Sequence, residues 1–118
     1  YVRSTPKNHG LENLIEGNLL PGQKVVVIED LISTGGSSLK AVEAIRNAGC
    51  EVVGMAAIFT YGFPGAEEAF KNANVTLCTL SNYNSMLEAA LVSGYIKDGD
   101  IETLKEWRKD PANWYPNK

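Results

Sequence analysis

Apolar positions along the chain keep two rhythms. Lys24-Val25-Val26-Val27-Ile28 is an unbroken β-branched run, the pattern of a central strand buried on both faces in a parallel sheet. It ends in Glu29-Asp30, and a stretch of hydroxyls and glycines follows from Leu31 to Ser38. Leu39, Val42 and Ile45 then recur every three residues with Ala41 and Ala48 beside them, while Lys40, Glu43 and Asn47 fall on the other side. That spacing predicts an amphipathic helix stopped by Gly49. Val52 to Phe59 reads as a second strand. Ala66, Ala69, Phe70 and Ala73 mark a short helix after Pro64, and Val75 to Leu80 a third strand. Ser81 or Asn82 caps a helix reaching about Ser93, with Met86, Ala90 and Leu91 inward and Gly94 at its end. Ile101, Leu104 and Trp107 mark a last helix with Asp100 as N-cap. Strands alternating with helices predict an α/β fold with a largely parallel sheet.

The segments between these elements carry no period. Ser4 to Leu20 holds Pro6, Gly10 and Gly17 and reads as a long loop, either a functional lid or a surface insert. Pro21-Gly22 is a turn, because Pro presets φ and Gly tolerates the positive φ that follows. The tail from Asp110 is rich in Pro and Asn and is expected along the surface. The opening Tyr1-Val2-Arg3 reads like the end of a strand, so the chain is expected to be a fragment whose N-terminal part is missing.

Composition narrows the classes. The 118 residues suit one domain, and 44% hydrophobic with 21% charged content is ordinary for a globular protein. No apolar run approaches the ~18 residues of a membrane span. A net charge of −3 advertises neither nucleic acid nor anionic lipid as partner. Cys50 and Cys78 are expected as buried reduced thiols, in keeping with a cytoplasmic protein.

The chemistry belongs at the C-terminal end of the first strand, where ligands of open parallel sheets bind. Ser33-Thr34-Gly35-Gly36-Ser37 offers consecutive backbone N–H groups at a helix N-terminus, a cradle for phosphate. Carboxylates beside a phosphate repel it. Glu29 and Asp30 are better used on sugar hydroxyls, or on Mg²⁺ through water. A ribose phosphate satisfies both halves. Neither a Walker A loop nor a G-x-G-x-x-G fingerprint is present. The plain alternative is a solvated strand end with helix caps.

From Val25 to Ser37, four apolar residues, two acids, two apolar residues and a small Ser/Thr/Gly loop closely resemble the phosphoribosyl pyrophosphate (PRPP) motif of type I phosphoribosyltransferases. Upstream, Arg3, Lys7 and His9-Gly10 are similar to the mobile catalytic loop of the orotate phosphoribosyltransferases. Downstream, Ile58-Phe59-Thr60-Tyr61-Gly62-Phe63-Pro64 resembles the bacterial branch of that family. The resemblance spans essentially the whole chain and corresponds to the C-terminal half of such an enzyme. It implies a mostly parallel sheet flanked by helices, and transfer of the phosphoribosyl group from PRPP to orotate, giving orotidine 5′-phosphate and pyrophosphate in UMP biosynthesis.

The resemblance also implies roles. Arg3, Lys7 and His9 would be catalytic and bind pyrophosphate. Glu29 and Asp30 would hold the ribose hydroxyls. The PRPP-binding segment would continue through Leu31, Ile32, Ser33, Thr34, Gly35, Gly36 and Ser37, with Ser33 also reaching orotate. Mg²⁺ would ride mainly on PRPP, without a protein ligand set of its own. Residues 4–20 would close over the neighbouring subunit's site in a homodimer, and residues 98–118 would form a C-terminal helix and tail. Two positions depart from the family pattern. Ser4 stands where many members have a second basic residue, and Thr60-Tyr61-Gly62-Phe63 replaces a region where some carry an orotate-binding Arg. Two other readings share the motif, a purine-type phosphoribosyltransferase and a PRPP-binding regulatory domain without catalysis.

Overall fold

The β-branched run after the Pro21-Gly22 turn forms strand β1, Lys24–Ile32, longer than the pattern indicated because Glu29 and Asp30 continue the ladder. The computed structural model describes residues 1–3 and 14–114. Helix α1 runs Gly36–Asn47, strand β2 Glu51–Thr60, helix α2 Pro64–Asn72 and strand β3 Leu77–Asn82. Helices α3, Tyr83–Val92, and α4, Asp98–Lys109, follow, and a 3-10 turn covers Pro111–Asn113. The three strands lie in the order β1-β2-β3 and pair in parallel. This is the predicted α/β architecture, with helices as the crossovers that parallel neighbours require.

Local chemistry sets most boundaries. Gly22 takes φ +88° in the turn, and Gly49 takes φ +87° just past α1, the left-handed position that ends a helix and that glycine adopts without a Cβ penalty. Pro64 opens α2, where its missing N–H is not needed. Asn82 Oδ1 accepts the Ser85 N–H at 2.9 Å and caps α3. Asp100, expected as the N-cap of α4, lies inside the first turn. Its Oδ2 reaches back to the Lys97 N–H at 2.9 Å, and Asp98 and Asp100 both face the positive end of the helix dipole. β3 begins two residues later than Val75, which belongs instead to the core.

That core forms on one side of the sheet. Val27, Ile32, Met55 and Ala57 from the strands pack against Val42 and Ile45 of α1 and Phe70 of α2. Among the described residues the other side is bare. Residues paired across parallel strands share a face, so Val26, Ile28, Ala56, Ile58, Cys78 and Leu80 line one surface. Ile28 is 75% and Leu80 85% exposed. The expectation of a strand buried on both faces therefore fails here, because α1 and α2 join the same core cluster and cover the same side. Cys50 is buried, its Sγ 3.2 Å from the Leu20 carbonyl, whereas Cys78 is exposed on the bare face and not buried as expected. Met86 also turns outward, and Tyr83 and Leu87 take the inward positions of α3. Among the described residues no helix is long and apolar enough to cross a membrane.

Candidate functional site

The C-terminal ends of all three strands open on one edge of the sheet, and the loop after β1 turns there into α1. Gly35 sits at φ +85° at the N-cap of α1, and its carbonyl accepts the Leu39 N–H at 2.9 Å. A Cβ on Gly35 would lie 2.8 Å from Phe70 Cε2. The position thus requires glycine twice, for its backbone angle and for the ring of α2 that closes on it. Among the described residues no side chain caps the first amides of α1, and no acid stands in its first turn. Those N–H groups and the hydroxyls of exposed Ser33, Thr34 and Ser37 leave an anion-accepting rim at the positive end of the helix.

The two acids are arranged differently from a simple pair. Because β1 continues to Ile32, successive side chains alternate faces. Glu29 pairs with Ala57 and is half-buried, whereas Asp30 is exposed on the opposite side. Asp30 Oδ1 accepts the Leu31 N–H at 2.7 Å. Both acids line a cavity of about 530 Å³ along β1, together with Tyr1 and Val2. Leu31 is exposed. Ile32 is 1% exposed and packs into the core, while its carbonyl accepts the Tyr61 N–H at 3.2 Å and fixes where the loop departs.

Arg3 stands at the start of the segment flanking this cavity. Val2 bridges Ile15 in antiparallel fashion, and Arg3 Nε donates to Glu16 Oε1 at 2.8 Å, with Nη2 on the same oxygen. Lys7 and His9 lie outside the described residues, as does Ser4.

A second cavity, of about 540 Å³, opens beside Ser33 and Thr34. Its wall is aromatic. Tyr61 stacks on Phe63 with ring centroids 5.2 Å apart and planes 5° from parallel. Trp107 of α4 meets Tyr61 at 5.8 Å and Phe63 at 6.0 Å. Tyr83 completes the cluster, 5.8 Å from Trp107, its hydroxyl donating to the Leu104 carbonyl at 2.8 Å. Burial pushes the Tyr83 phenol above its ordinary value, partly offset by the guanidinium of Arg108. Arg108 lies over the Tyr83 ring, Cζ 5.5 Å from the centroid, and Nη1 donates to Asn84 Oδ1 at 2.7 Å.

The structure therefore brings Glu29 and Asp30 together with the chain's first residues, and Ser33 and Thr34 together with an aromatic cavity. Reading the sequence located the loop and the acids but not Tyr61, Phe63, Tyr83, Trp107 and Arg108. The signal that marks them is position. Tyr61 and Tyr83 each follow the last residue of a strand, where a parallel sheet builds its sites. Among the described residues no group of three or more metal-ligating side chains gathers.

Comparison with known proteins follows the same lines. Residues 4–90 match the phosphoribosyl transferase domain family. An orotate phosphoribosyltransferase of Bacteroides thetaiotaomicron is 72% identical over 118 residues, covering 100% of this chain and 56% of that protein. The crystal structure of orotate phosphoribosyltransferase from Aeropyrum pernix superposes with a TM-score of 0.68 at 31% identity, over 82% of this chain and 52% of that one. The Mycobacterium tuberculosis enzyme in complex with PRPP gives 0.55 at 38% identity, over 60% of this chain and 42% of that one. The chain spans about half the length of the curated relatives it matches.

Proposed function

This chain belongs to the phosphoribosyl transferase domain family, and we propose that the protein transfers the 5-phosphoribosyl group of PRPP to orotate, releasing pyrophosphate and forming orotidine 5′-phosphate. The observation that carries the reading is the Ser33–Ser37 loop. It combines uncapped helix amides, a left-handed Gly35 pressed against Phe70 and no acid in the first helical turn, next to two strand-borne carboxylates. Likeness to curated orotate phosphoribosyltransferases supports the choice of base.

In this reading the loop amides and hydroxyls hold the 5-phosphate. Asp30 and Glu29 accept hydrogen bonds from ribose hydroxyls, with β1 presenting them from its two faces. Attack by the ring nitrogen of orotate on ribose C1 breaks the C1–O bond, and the electron pair leaves with pyrophosphate. Arg3, Lys7 and His9 take up the negative charge that develops there. Arg3 must exchange Glu16 for the pyrophosphate to do so. Mg²⁺ bound with PRPP would supply further neutralisation of the charge on the leaving group. Residues 4–20 closing over the site would keep water from the cationic sugar, and closure across a homodimer interface belongs to the same proposal.

The test is turnover by the full-length protein given Mg²⁺, PRPP and orotate, beside direct PRPP titration. Orotate consumption matched by pyrophosphate release is expected. Asp30→Asn should weaken PRPP binding by about tenfold or more, the loss of a charged hydrogen bond. Turnover with adenine or hypoxanthine in place of orotate would move the assignment to a purine enzyme. PRPP binding with no base accepted would leave a regulatory domain.

A further inference from the structure

The cavity beside Ser33 has a composition that phosphate and ribose do not call for. Three strand ends meet there in order. Ser33 follows Ile32, which pairs with Thr60, and Thr60 pairs with Asn82. Ser33, Tyr61 and Tyr83 are thus neighbours across roughly 10 Å, two strand spacings. The stacked Tyr61 and Phe63, with Trp107 set edge-on to both, give an aromatic wall against which a planar ring can pack. One cation completes it. Arg108 comes from α4, far along the chain, and Gly62 makes room, since Arg108 Nη1 lies 3.9 Å from where a Gly62 Cβ would be.

The guanidinium is held but not neutralised. Tyr83 supports it from below and Asn84 takes one of its five N–H donors. Among the described residues it has no carboxylate within ion-pair distance. Glu67 flanks Gly62, 4.0 Å from the same Cβ position, but lines the neighbouring cavity. The other charged groups on the wall are spoken for. Lys109 pairs with Glu106 at 2.6 Å, and Asp110 accepts from Asn113 at 2.9 Å. A positioned arginine with open donors, beside stacked aromatics, is a receptor for a planar anion.

The geometry points to Arg108 as the residue that grips the orotate carboxylate, with the pyrimidine against the aromatic wall and Ser33 at its edge. This rests on the proposed function and extends it, because the strand-end region around Tyr61 carries no arginine of its own. The carboxylate of orotate is bonded to the ring carbon next to the attacking nitrogen. Fixing it therefore sets that nitrogen relative to the ribose. Arg108 also selects the base, since a neutral pyrimidine or purine leaves the guanidinium unanswered.

The experiment compares Arg108→Gln and Arg108→Lys with the unmodified full-length protein. It measures KM for orotate and for PRPP, and the inhibition constant of orotamide, the neutral carboxamide of orotate. For Arg108→Gln, KM for orotate should rise about 10- to 100-fold, as for a lost charged hydrogen bond. KM for PRPP and orotamide inhibition should stay within about twofold by the same argument. Arg108→Lys, which keeps the charge without the fork, should fall between and keeps the test open if the glutamine variant misfolds. Equal losses for orotate and orotamide, or an unchanged orotate KM, would overturn the assignment and leave Arg108 as a support for Tyr83. Absence of orotate turnover in the unmodified protein would instead overturn the proposed function beneath it.

Discussion

At the scale of single residues, Gly35 is the most constrained position of the candidate site. A left-handed backbone angle costs an ordinary residue about 1–2 kcal/mol, and here a methyl would also meet the buried Phe70 ring at 2.8 Å. Gly35→Ala should therefore lower stability by about 2–4 kcal/mol, strain and overpacking together, read as a shift of the urea midpoint. It should also abolish PRPP binding. Adding Phe70→Leu should recover the packing part alone. Full recovery would show that backbone angle does not matter at this position. The glycine is legible in the sequence as part of the loop motif, but its partner is not, because Phe70 is 35 positions away. Arg108 illustrates the same limit. As a sequence position it is one more charge on an exposed helix. Only Tyr83, Asn84 and Gly62, gathered from two strand ends, give it a direction.

At the scale of elements, α3 links the fold to the aromatic cavity, because its first two residues are Tyr83 and Asn84. Its cap is Asn82, the last residue of β3. Asn82→Ala should cost about 1 kcal/mol, the usual loss of an N-cap, measured by thermal or urea unfolding. If Arg108 acts as inferred, the same variant should also weaken orotate more than PRPP, since a frayed first turn releases Asn84. Asn82→Asp should be nearly neutral. The order and type of the elements were readable from periodicity, since 3.6 and 2.0 are different rhythms. Their ends were readable only where chemistry marks them. Gly49 and Pro64 do so. Asp100 misled because a carboxylate inside the first turn serves the helix as well as one before it. Glu29 and Asp30 misled because acids at a strand's end look like loop, whereas the Ile32–Thr60 pairing draws them into the ladder.

At the scale of the whole molecule, the bare face of the sheet stands out. Val26, Ile28, Ile58 and Leu80 form a contiguous apolar surface, and such patches drive association. The 118-residue chain by itself should bind a hydrophobic dye and self-associate with concentration in sedimentation. Ile28→Lys with Leu80→Lys should suppress both while leaving helical circular dichroism intact. A monodisperse chain that binds no dye would mean the face is not apolar in effect. The curated relatives are nearly twice as long, length enough for a second covering layer. A β-branched run reports that a strand suits burial, not which of its faces the helices cover, and here α1 and α2 share the core on the opposite side.

The sequence by itself determined the alternation of strands and helices, the Ser33–Ser37 loop at the start of α1 and the acids before it, because these depend on neighbours within a few positions. Tertiary structure decided which side of the sheet is covered, which faces the two acids take, and which distant residues meet at the strand ends. Parallel pairing joins Ser33, Tyr61 and Tyr83 through backbone hydrogen bonds indifferent to side-chain identity. The cavity under Arg108 is therefore a product of register, which no local pattern encodes.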